Sequence, residues 1–130
     1  MSKIHVATIE EELAKLKILE GRTPYTTDEE SEGTFAKLGD FDTGGVFTGS
    51  FVGESPWERH LAGDELVHIL KGETELTIMT DDGPEVLSMK GGMLTVVPKG
   101  LWHRFRAPKG VTVLTATPHP TDHSNADDPR

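Results

Sequence analysis

The chain has 130 residues, with 13 Lys and Arg against 22 Asp and Glu, which gives a formal net charge of −9 at pH 7. This charge would repel nucleic-acid phosphates and anionic membrane surfaces, so it argues against both kinds of partner and favours a small-molecule ligand. The sequence contains no cysteine, which excludes disulfides and thiolate metal sites, so any metal must be held by imidazole and carboxylate groups. The length is typical of one domain with a single core.

The N-terminal segment lacks the apolar core of a secretory signal. It soon reaches an acidic run at residues 10–12, and nowhere does the chain contain about 18 consecutive apolar residues. A cytoplasmic location is therefore the default expectation.

A helix is predicted over residues 9 to about 19. Thr8 and Glu11 have the spacing of a capping box. Apolar residues follow at helical intervals, at Ile9, Leu13 and Leu16. A glycine and a proline at positions 21 and 24 would end this helix. The acidic segment 26–33 is interpreted as a solvated loop.

From Phe35 onward, short apolar or alternating runs are separated by Gly, Asp and Pro. The predicted strands cover residues 46–52, 65–70, 75–79, 85–89, 94–97, 103–106 and 111–117. Such spacing indicates an all-β sandwich or barrel, here over about residues 35–118. The polar tail, residues 119–130, either frays or packs over the barrel.

The first motif that could carry chemistry is Glu58-x-His60-x4-Glu65-x6-Gly72. On an extended strand Glu58 and His60 point to the same face, and a carboxylate and an imidazole can act together only if that face is the inside of the barrel. After a turn at residues 61–64, Glu65 continues the inward row.

The second motif is Gly92-x5-Pro98-x-Gly100-x2-His103. Its proline and second glycine form a turn that presents His103. Imidazole and carboxylate groups from both motifs can converge on one divalent ion. The candidate ligands are Glu58, His60, Glu65 and His103.

The two motifs together resemble those of the cupin family, over about residues 46–117. The resemblance implies a double-stranded β-helix, or jelly-roll barrel, with residues 1–130 as a single domain and a metal in the barrel mouth. It also implies a homodimer, which is common among small single-domain members. Where the family usually has a histidine as first ligand, this chain has Glu58.

Glu58 has three possible roles at such a site. It can bind the metal in place of histidine, act as a free general acid or base beside the metal, or turn away to pair with an arginine. With Glu58 as a ligand, two imidazoles and two carboxylates form a donor set that suits Fe(II), Mn(II), Ni(II) or Zn(II).

Two functions from different classes are compatible with these residues. The first is a metal-dependent enzyme, such as a dioxygenase, isomerase or lyase, that polarises a small oxygenated substrate, an organic acid or a carbonyl compound. In it Glu58 is a catalytic residue or the fourth ligand. The alternative is a small-molecule binding or sensor module, with or without metal, that performs no reaction.

Three further histidines are not assigned to the site. His68 lies on the opposite strand face from Glu65 and is interpreted as a packing or surface residue. His119 and His123 have the i, i+4 spacing of a helical metal site, but a proline lies between them, so they are interpreted as tail residues without a role in the site.

Two aromatic and cationic pairs are predicted on outward strand faces, Trp57 with Arg59 and Trp102 with Arg104. They could form a subunit interface or an anion-binding surface. Ordinary packing on the outer face is the preferred interpretation.

Overall fold

A computed structural model describes residues 4–130, and it confirms the all-β fold class. The three N-terminal residues of the predicted domain lie outside this range. In chain order the elements are α1 (Ile9–Ala14), β1 (Leu19–Arg22), α2 (Asp28–Ser31), β2 (Phe35–Phe41), β3 (Gly44–Glu54), β4 (Trp57–His60), β5 (Glu65–Thr80), β6 (Gly83–Lys90), β7 (Leu94–Val97), β8 (His103–Pro118) and β9 (Thr121–Ser124).

The strands form a single curled sheet in which β5 and β8 are the longest members. β8 pairs antiparallel with β3, β4 and β5, while β5 also pairs with β6 and β7. β3 also pairs with β2, in antiparallel orientation, and with β1, in parallel orientation. β9 pairs with β4. Shifts in register within the β5–β8 pair let both strands bend, so that each contributes to two parts of the barrel wall.

Two motif glycines are required by the backbone of these bends and turns. Gly72 has φ +79°, and a Cβ placed there would lie 2.3 Å from the carbonyl oxygen of Gly110. Gly100 also has φ +79°, and its N–H donates a 2.9 Å hydrogen bond to the carbonyl of His60. Because an L side chain is strained at such φ values, the glycines fix the path of the chain around the site.

The core lies between the walls of the curled sheet. Alternate residues of β5, Val67 and Ile69, are fully buried, as expected for a strand with one face toward the interior. The main cluster also contains Leu19, Phe51, Leu76, Ile78, Met89, Val97, Phe105, Ala107, Val111 and Val113.

The predicted strands all fall within observed strands, and those at 65–70 and 75–79 are parts of the one strand β5. The strands β1, β2 and β9 were not predicted. The polar tail was expected either to fray or to pack over the barrel. It packs on the barrel, because residues 121–124 pair with β4.

The N-terminal helix is shorter than predicted. It ends at Ala14, and the Thr8 side chain makes no capping hydrogen bond. Leu19, which the prediction placed in this helix, is buried and paired with Phe51 of β3, so burial in the barrel wall outweighs the helical periodicity of the segment.

The prediction of a loop over residues 26–33 was wrong in part. This segment contains α2, whose capping box joins Thr27 and Glu30. The fold therefore has a second short helix beyond the one predicted. Within residues 4–130, no helix has the length and apolar character needed to cross a membrane.

Candidate metal centre

The structure brings together three of the four predicted ligands. His60 ends β4, Glu65 begins β5 and His103 begins β8, and one possible ligand atom from each lies within 4.8 Å of the other two. All three side chains are buried, with His103 only 1% exposed. The curled sheet thus places three strand ends at one point, as the two motifs predicted.

Glu65 lies between the two imidazoles. Its Oε1 atom is 2.9 Å from Nε2 of His103 and 3.4 Å from Nε2 of His60. Within the described residues, neither Glu65 Oε1 nor His60 Nε2 has a partner with hydrogen-bond geometry, and the 2.9 Å contact of Oε1 with His103 is an ion pair only when that imidazole is protonated. A buried polar atom without a partner costs about 1–3 kcal/mol. The three residues therefore fit a divalent ion, which would supply the missing partner of these converging atoms.

The Nδ1 atoms of both histidines are already bonded, on the side away from Glu65. Nδ1 of His103 donates to the carbonyl of Leu101 at 3.2 Å, since a carbonyl oxygen can only accept. Nδ1 of His60 lies 3.0 Å from the hydroxyl oxygen of Thr121. These contacts orient the rings and, in the neutral form with Nδ1 protonated, leave each Nε2 lone pair available for a metal.

Two threonines of β8 hold the other oxygen of Glu65. The Thr117 hydroxyl donates a 2.6 Å hydrogen bond to Glu65 Oε2. Its oxygen is also 2.8 Å from the Thr115 hydroxyl, which must donate because the Thr117 proton is used. The carboxylate is thereby fixed with Oε1 turned toward the histidines.

The charges of this cluster support one another. Burial alone would raise the pKa of Glu65, but contact with His103 and then His60 lowers it to about 2. Burial would lower the pKa of His103, but contact with the Glu65 carboxylate raises it. The cluster therefore stabilises positive charge beside an ionised carboxylate, and a metal cation can replace that positive charge.

Glu58 lies outside the group of three. Its backbone is paired with His103 on one side and with His123 on the other, and its Oε2 atom is 3.4 Å from Nε2 of His123. This contact raises the pKa of His123. The side chain lines the same cavity as His60 and Glu65, so the predicted common face of Glu58 and His60 agrees with the structure.

The cavity at this site has a volume of about 230 Å³. One part of its wall is apolar and largely aromatic, formed by Phe35, Phe47, Phe51, Phe105 and Val113. The polar part contains Arg22, Glu58, His60, Glu65, Thr115, Thr117, His119 and Thr121. A small molecule in this space would contact aromatic rings and the candidate metal ligands at once.

Sequence reasoning missed several residues of this site. Arg22, Thr117 and Thr121 come from strands that were not predicted or from a face that only barrel closure defines. The interpretation of His119 and His123 as tail residues without a role in the site was wrong, because His119 lines the cavity and His123 contacts Glu58. The register of β9 on β4 sets Thr121 opposite His60 and His123 opposite Glu58. His68, by contrast, is half-buried and not among the three clustered residues, in line with its interpretation as a packing or surface residue.

The aromatic and cationic residues that were predicted on outward strand faces stack across the two pairs, and Trp57 is buried rather than exposed. Arg104 stacks on Trp57 with 4.5 Å between its Cζ and the ring centroid, and Arg59 stacks on Trp102 at 4.6 Å. Arg59 also pairs with Asp122 of β9 at 2.9 Å. Ordinary packing thus accounts for these residues. The pair of Arg59 and Asp122 also links β9 to β4, the strand that carries His60.

The comparison with known protein families agrees with this arrangement. The model of the cupin domain matches residues 52–116, half of the chain. The chain belongs to the cupin family. Its curled sheet is the jelly-roll barrel of that family, as the sequence motifs predicted.

Similar solved structures support the same fold. A cupin-2 domain protein from Shewanella frigidimarina is 16% identical, with 70% of this cupin and 80% of that chain covered and a TM-score of 0.54. A hydroquinone 1,2-dioxygenase, solved with Cd²⁺ and 4-hydroxybenzonitrile, is 21% identical at a TM-score of 0.55, covering 65% of this cupin and 63% of that chain.

A third similar structure is oxalate decarboxylase from Bacillus subtilis, studied for its Mn(II) centres. It is 12% identical at a TM-score of 0.57, and the comparison covers 68% of this cupin and 26% of that chain. This cupin thus spans less than two thirds of the dioxygenase chain and about a quarter of the decarboxylase. No curated protein matches the sequence significantly.

Proposed function

We propose that this cupin is an enzyme that uses a divalent metal to act on a small oxygenated compound, an organic acid or a carbonyl compound. The observation that carries the proposal is the buried cluster of His60, Glu65 and His103, whose unpartnered polar atoms converge at an open cavity. A purely structural cluster would be expected to satisfy its own buried polar atoms.

The donor set limits the metal. Two imidazoles and one carboxylate, with other positions open, are typical of non-haem Fe(II) oxygenases and are also a catalytic zinc set. Adding Glu58 would give the four-ligand set predicted from the sequence, which also suits Mn(II) or Ni(II). A bound divalent ion would act as a Lewis acid that polarises a substrate oxygen. The similar structures that contain Cd²⁺ or Mn(II) centres support a metal in this fold.

The residues around the metal ligands have separate tasks in this proposal. Thr117 and the Leu101 carbonyl hold Glu65 and His103 in the orientation described above. Phenylalanine side chains cover one wall of the cavity and limit the access of water to the substrate.

Glu58 is the proposed general base when it does not bind the metal. Its Oε2 atom faces His123, so Oε1 can accept a proton from a substrate in the cavity. The contact with His123 would position this carboxylate, and a proton taken up at Glu58 would remain beside an imidazole that can relay it.

Elemental analysis of the purified and reconstituted protein tests the proposal. We expect close to one divalent ion per chain in the wild type and in His68→Ala, a histidine substitution outside the cluster. His103→Ala should lose most of the metal and the turnover together. The proposal is abandoned if the wild type holds no near-stoichiometric metal, or if His103→Ala changes neither metal content nor turnover.

One observation favours the alternative of a binding or sensor module without a reaction. The carboxylate of Glu58 is already engaged by His123 and is not part of the cluster. Replacing Glu58 by His separates the two functions. An enzyme that depends on the carboxylate loses turnover, whereas a passive module keeps or gains metal affinity and shows no turnover before or after the change.

We also propose that the protein is a cytoplasmic homodimer, as the sequence led us to expect. Exposed apolar side chains on β7, Leu94 and Val96, provide surface that a second copy could cover. Light scattering coupled to size-exclusion chromatography should give twice the mass of one chain, and a monomeric mass would contradict the proposal.

A further inference from the structure

Arg22, the last residue of β1, lies at the cavity and stacks on two residues of its aromatic wall. Its backbone is paired with Gly53 of β3, and its side chain lines the cavity that also contains Glu58, His60 and Glu65. The guanidinium carbon lies 4.6 Å from the ring centroid of Phe51 and 5.6 Å from that of Phe35. These rings hold the cation in place without using its N–H donors.

Two arginines within residues 4–130 have no anionic partner, Arg22 and Arg104, and of these only Arg22 lines the cavity, whereas Arg104 stacks on Trp57. Arg59, Arg106 and Arg130 each pair with a carboxylate. Within residues 4–130, the guanidinium of Arg22 forms no ion pair within 4 Å and no side-chain hydrogen bond. The nearby carboxylate of Glu58 is in contact with His123 instead.

The placement of this arginine has a cost that a ligand would offset. Burial lowers the pKa of the guanidinium, and the charge of Glu58 opposes this effect only in part. A half-buried cation with unused donors is stabilised by an anion that enters the cavity. The planar N–H groups of the guanidinium match the two oxygens of a carboxylate. Each hydrogen bond between these charged groups is stronger than a bond between neutral groups.

We propose that Arg22 binds the carboxylate of the substrate, so that the substrates are small organic acids. Among the cavity-lining residues Arg22 is the only Lys or Arg, so it is the group suited to an anion there. The assignment of the remaining substrate oxygen, next to His60, Glu65 and His103, rests on the metal-dependent function proposed above.

The size and lining of the cavity restrict these acids further. A volume of about 230 Å³ is below the roughly 300–1,000 Å³ of sites for drug-sized ligands. The phenylalanine wall favours an acid with a short apolar or phenyl group beside its carboxylate. Lactate, 2-hydroxybutyrate and mandelate cover this range, and their amides are neutral analogues of nearly the same shape.

Calorimetric titration of these three acids and their amides tests the proposal. The titrations use wild type, Arg22→Gln, Arg22→Lys and, as a matched control, Arg106→Gln, whose arginine is exposed and pairs with Glu54. We expect at least one acid to bind the wild type and its amide to bind far more weakly. Arg22→Gln should weaken acid binding by about 10- to 100-fold, because charged hydrogen bonds are lost. Arg22→Lys should lose less, and Arg106→Gln should match the wild type.

Each titration is run with metal-loaded and metal-free protein, with metal content measured separately. The proposal for Arg22 is overturned if no acid binds the folded wild type at millimolar concentration, or if Arg22→Gln binds acids as well as Arg106→Gln does. Failure of the metal-dependent function has a different signature, namely a wild type without metal whose acid binding still depends on Arg22. Circular dichroism shows whether each Arg22 variant is folded. If Arg22→Gln does not fold, the comparison of Arg22→Lys with the wild type is used instead, and acid binding by Arg22→Lys equal to that of the wild type would overturn the proposal.

Discussion

The hydroxyl of Thr117 donates a 2.6 Å hydrogen bond to Oε2 of Glu65, the carboxylate at the centre of the cluster. This bond turns Oε1 toward Nε2 of His60 and His103. Partners of this kind orient metal ligands, and their loss typically lowers metal affinity by about 10–100-fold.

Replacing Thr117 by Val should therefore weaken metal binding by about tenfold or more while keeping all three ligands. Thr48→Val is the matched control. Thr48 is also buried and donates to the carbonyl of Val113, but it does not line the cavity. Competition with a metal-binding dye gives the affinities, and equal affinities for the two variants would refute a positioning role for Thr117.

Removal of the metal should lower the thermal stability of the wild type. A ligand at about 100 times its Kd stabilises the folded state by about 2.7 kcal/mol, which corresponds to a Tm increase of roughly 10 °C for a domain of this size. Glu65→Gln removes the central carboxylate, so its Tm should be nearly the same with and without metal. Differential scanning calorimetry before and after chelation measures both. A wild-type Tm that does not change on chelation would contradict the predicted site.

The stability of the metal-free protein should depend on pH through Glu65 and His103. The pKa of Glu65 is lowered on folding, so its contribution is present above its ordinary value of 4.5 and is lost as pH falls toward about 2. The pKa of His103 is raised, so its contribution is complete below its ordinary value of 6.5 and is lost as pH rises through the folded value.

The combined contribution should thus be greatest between about pH 4.5 and 6.5, where both groups are charged. Urea unfolding across pH 2–9 measures it, with Glu65→Gln as comparison, since that variant removes the carboxylate from the pair. A difference in unfolding free energy between wild type and variant that does not change with pH would refute this account.

The motif glycine at position 72 should be far more sensitive than a glycine in an open turn. Gly72→Ala forces a Cβ to 2.3 Å from the backbone oxygen of Gly110, at φ +79°. Gly83 has φ +108° but nothing within 4 Å of the added Cβ. We expect a loss of about 1–2 kcal/mol for Gly83→Ala, from φ alone, and several kcal/mol for Gly72→Ala. Equal losses in urea unfolding would show that the close approach to Gly110 does not matter.

Much of the site could be predicted because it depends on local geometry. The spacing of Glu58 and His60 puts both on one face of a strand, and both line the cavity. The glycines of the two motifs mark turns that bring Glu65 and His103 to the same place. Local patterns do not predict that the barrel closes, and this expectation came from the resemblance to cupins.

The remaining parts depend on contacts between distant segments. Leu19 follows a helical pattern, yet pairing with β3 makes its segment a strand, and this places Arg22 at the cavity. The tail shows no apolar alternation, yet its pairing with β4 brings Thr121 to His60 and His123 to Glu58. A sequence pattern does not record such pairings, so the partner of Glu58 could not be inferred from it.

Anomalous diffraction from crystals of the metal-reconstituted protein tests the central claim most directly. Data collected on both sides of the absorption edge of the added metal locate the ion without assumptions about the ligands. The account predicts a single strong peak within bonding distance of Nε2 of His60, Oε1 of Glu65 and Nε2 of His103. An ion bound elsewhere on the chain, or no peak at these residues in a protein saturated with the metal, would contradict it.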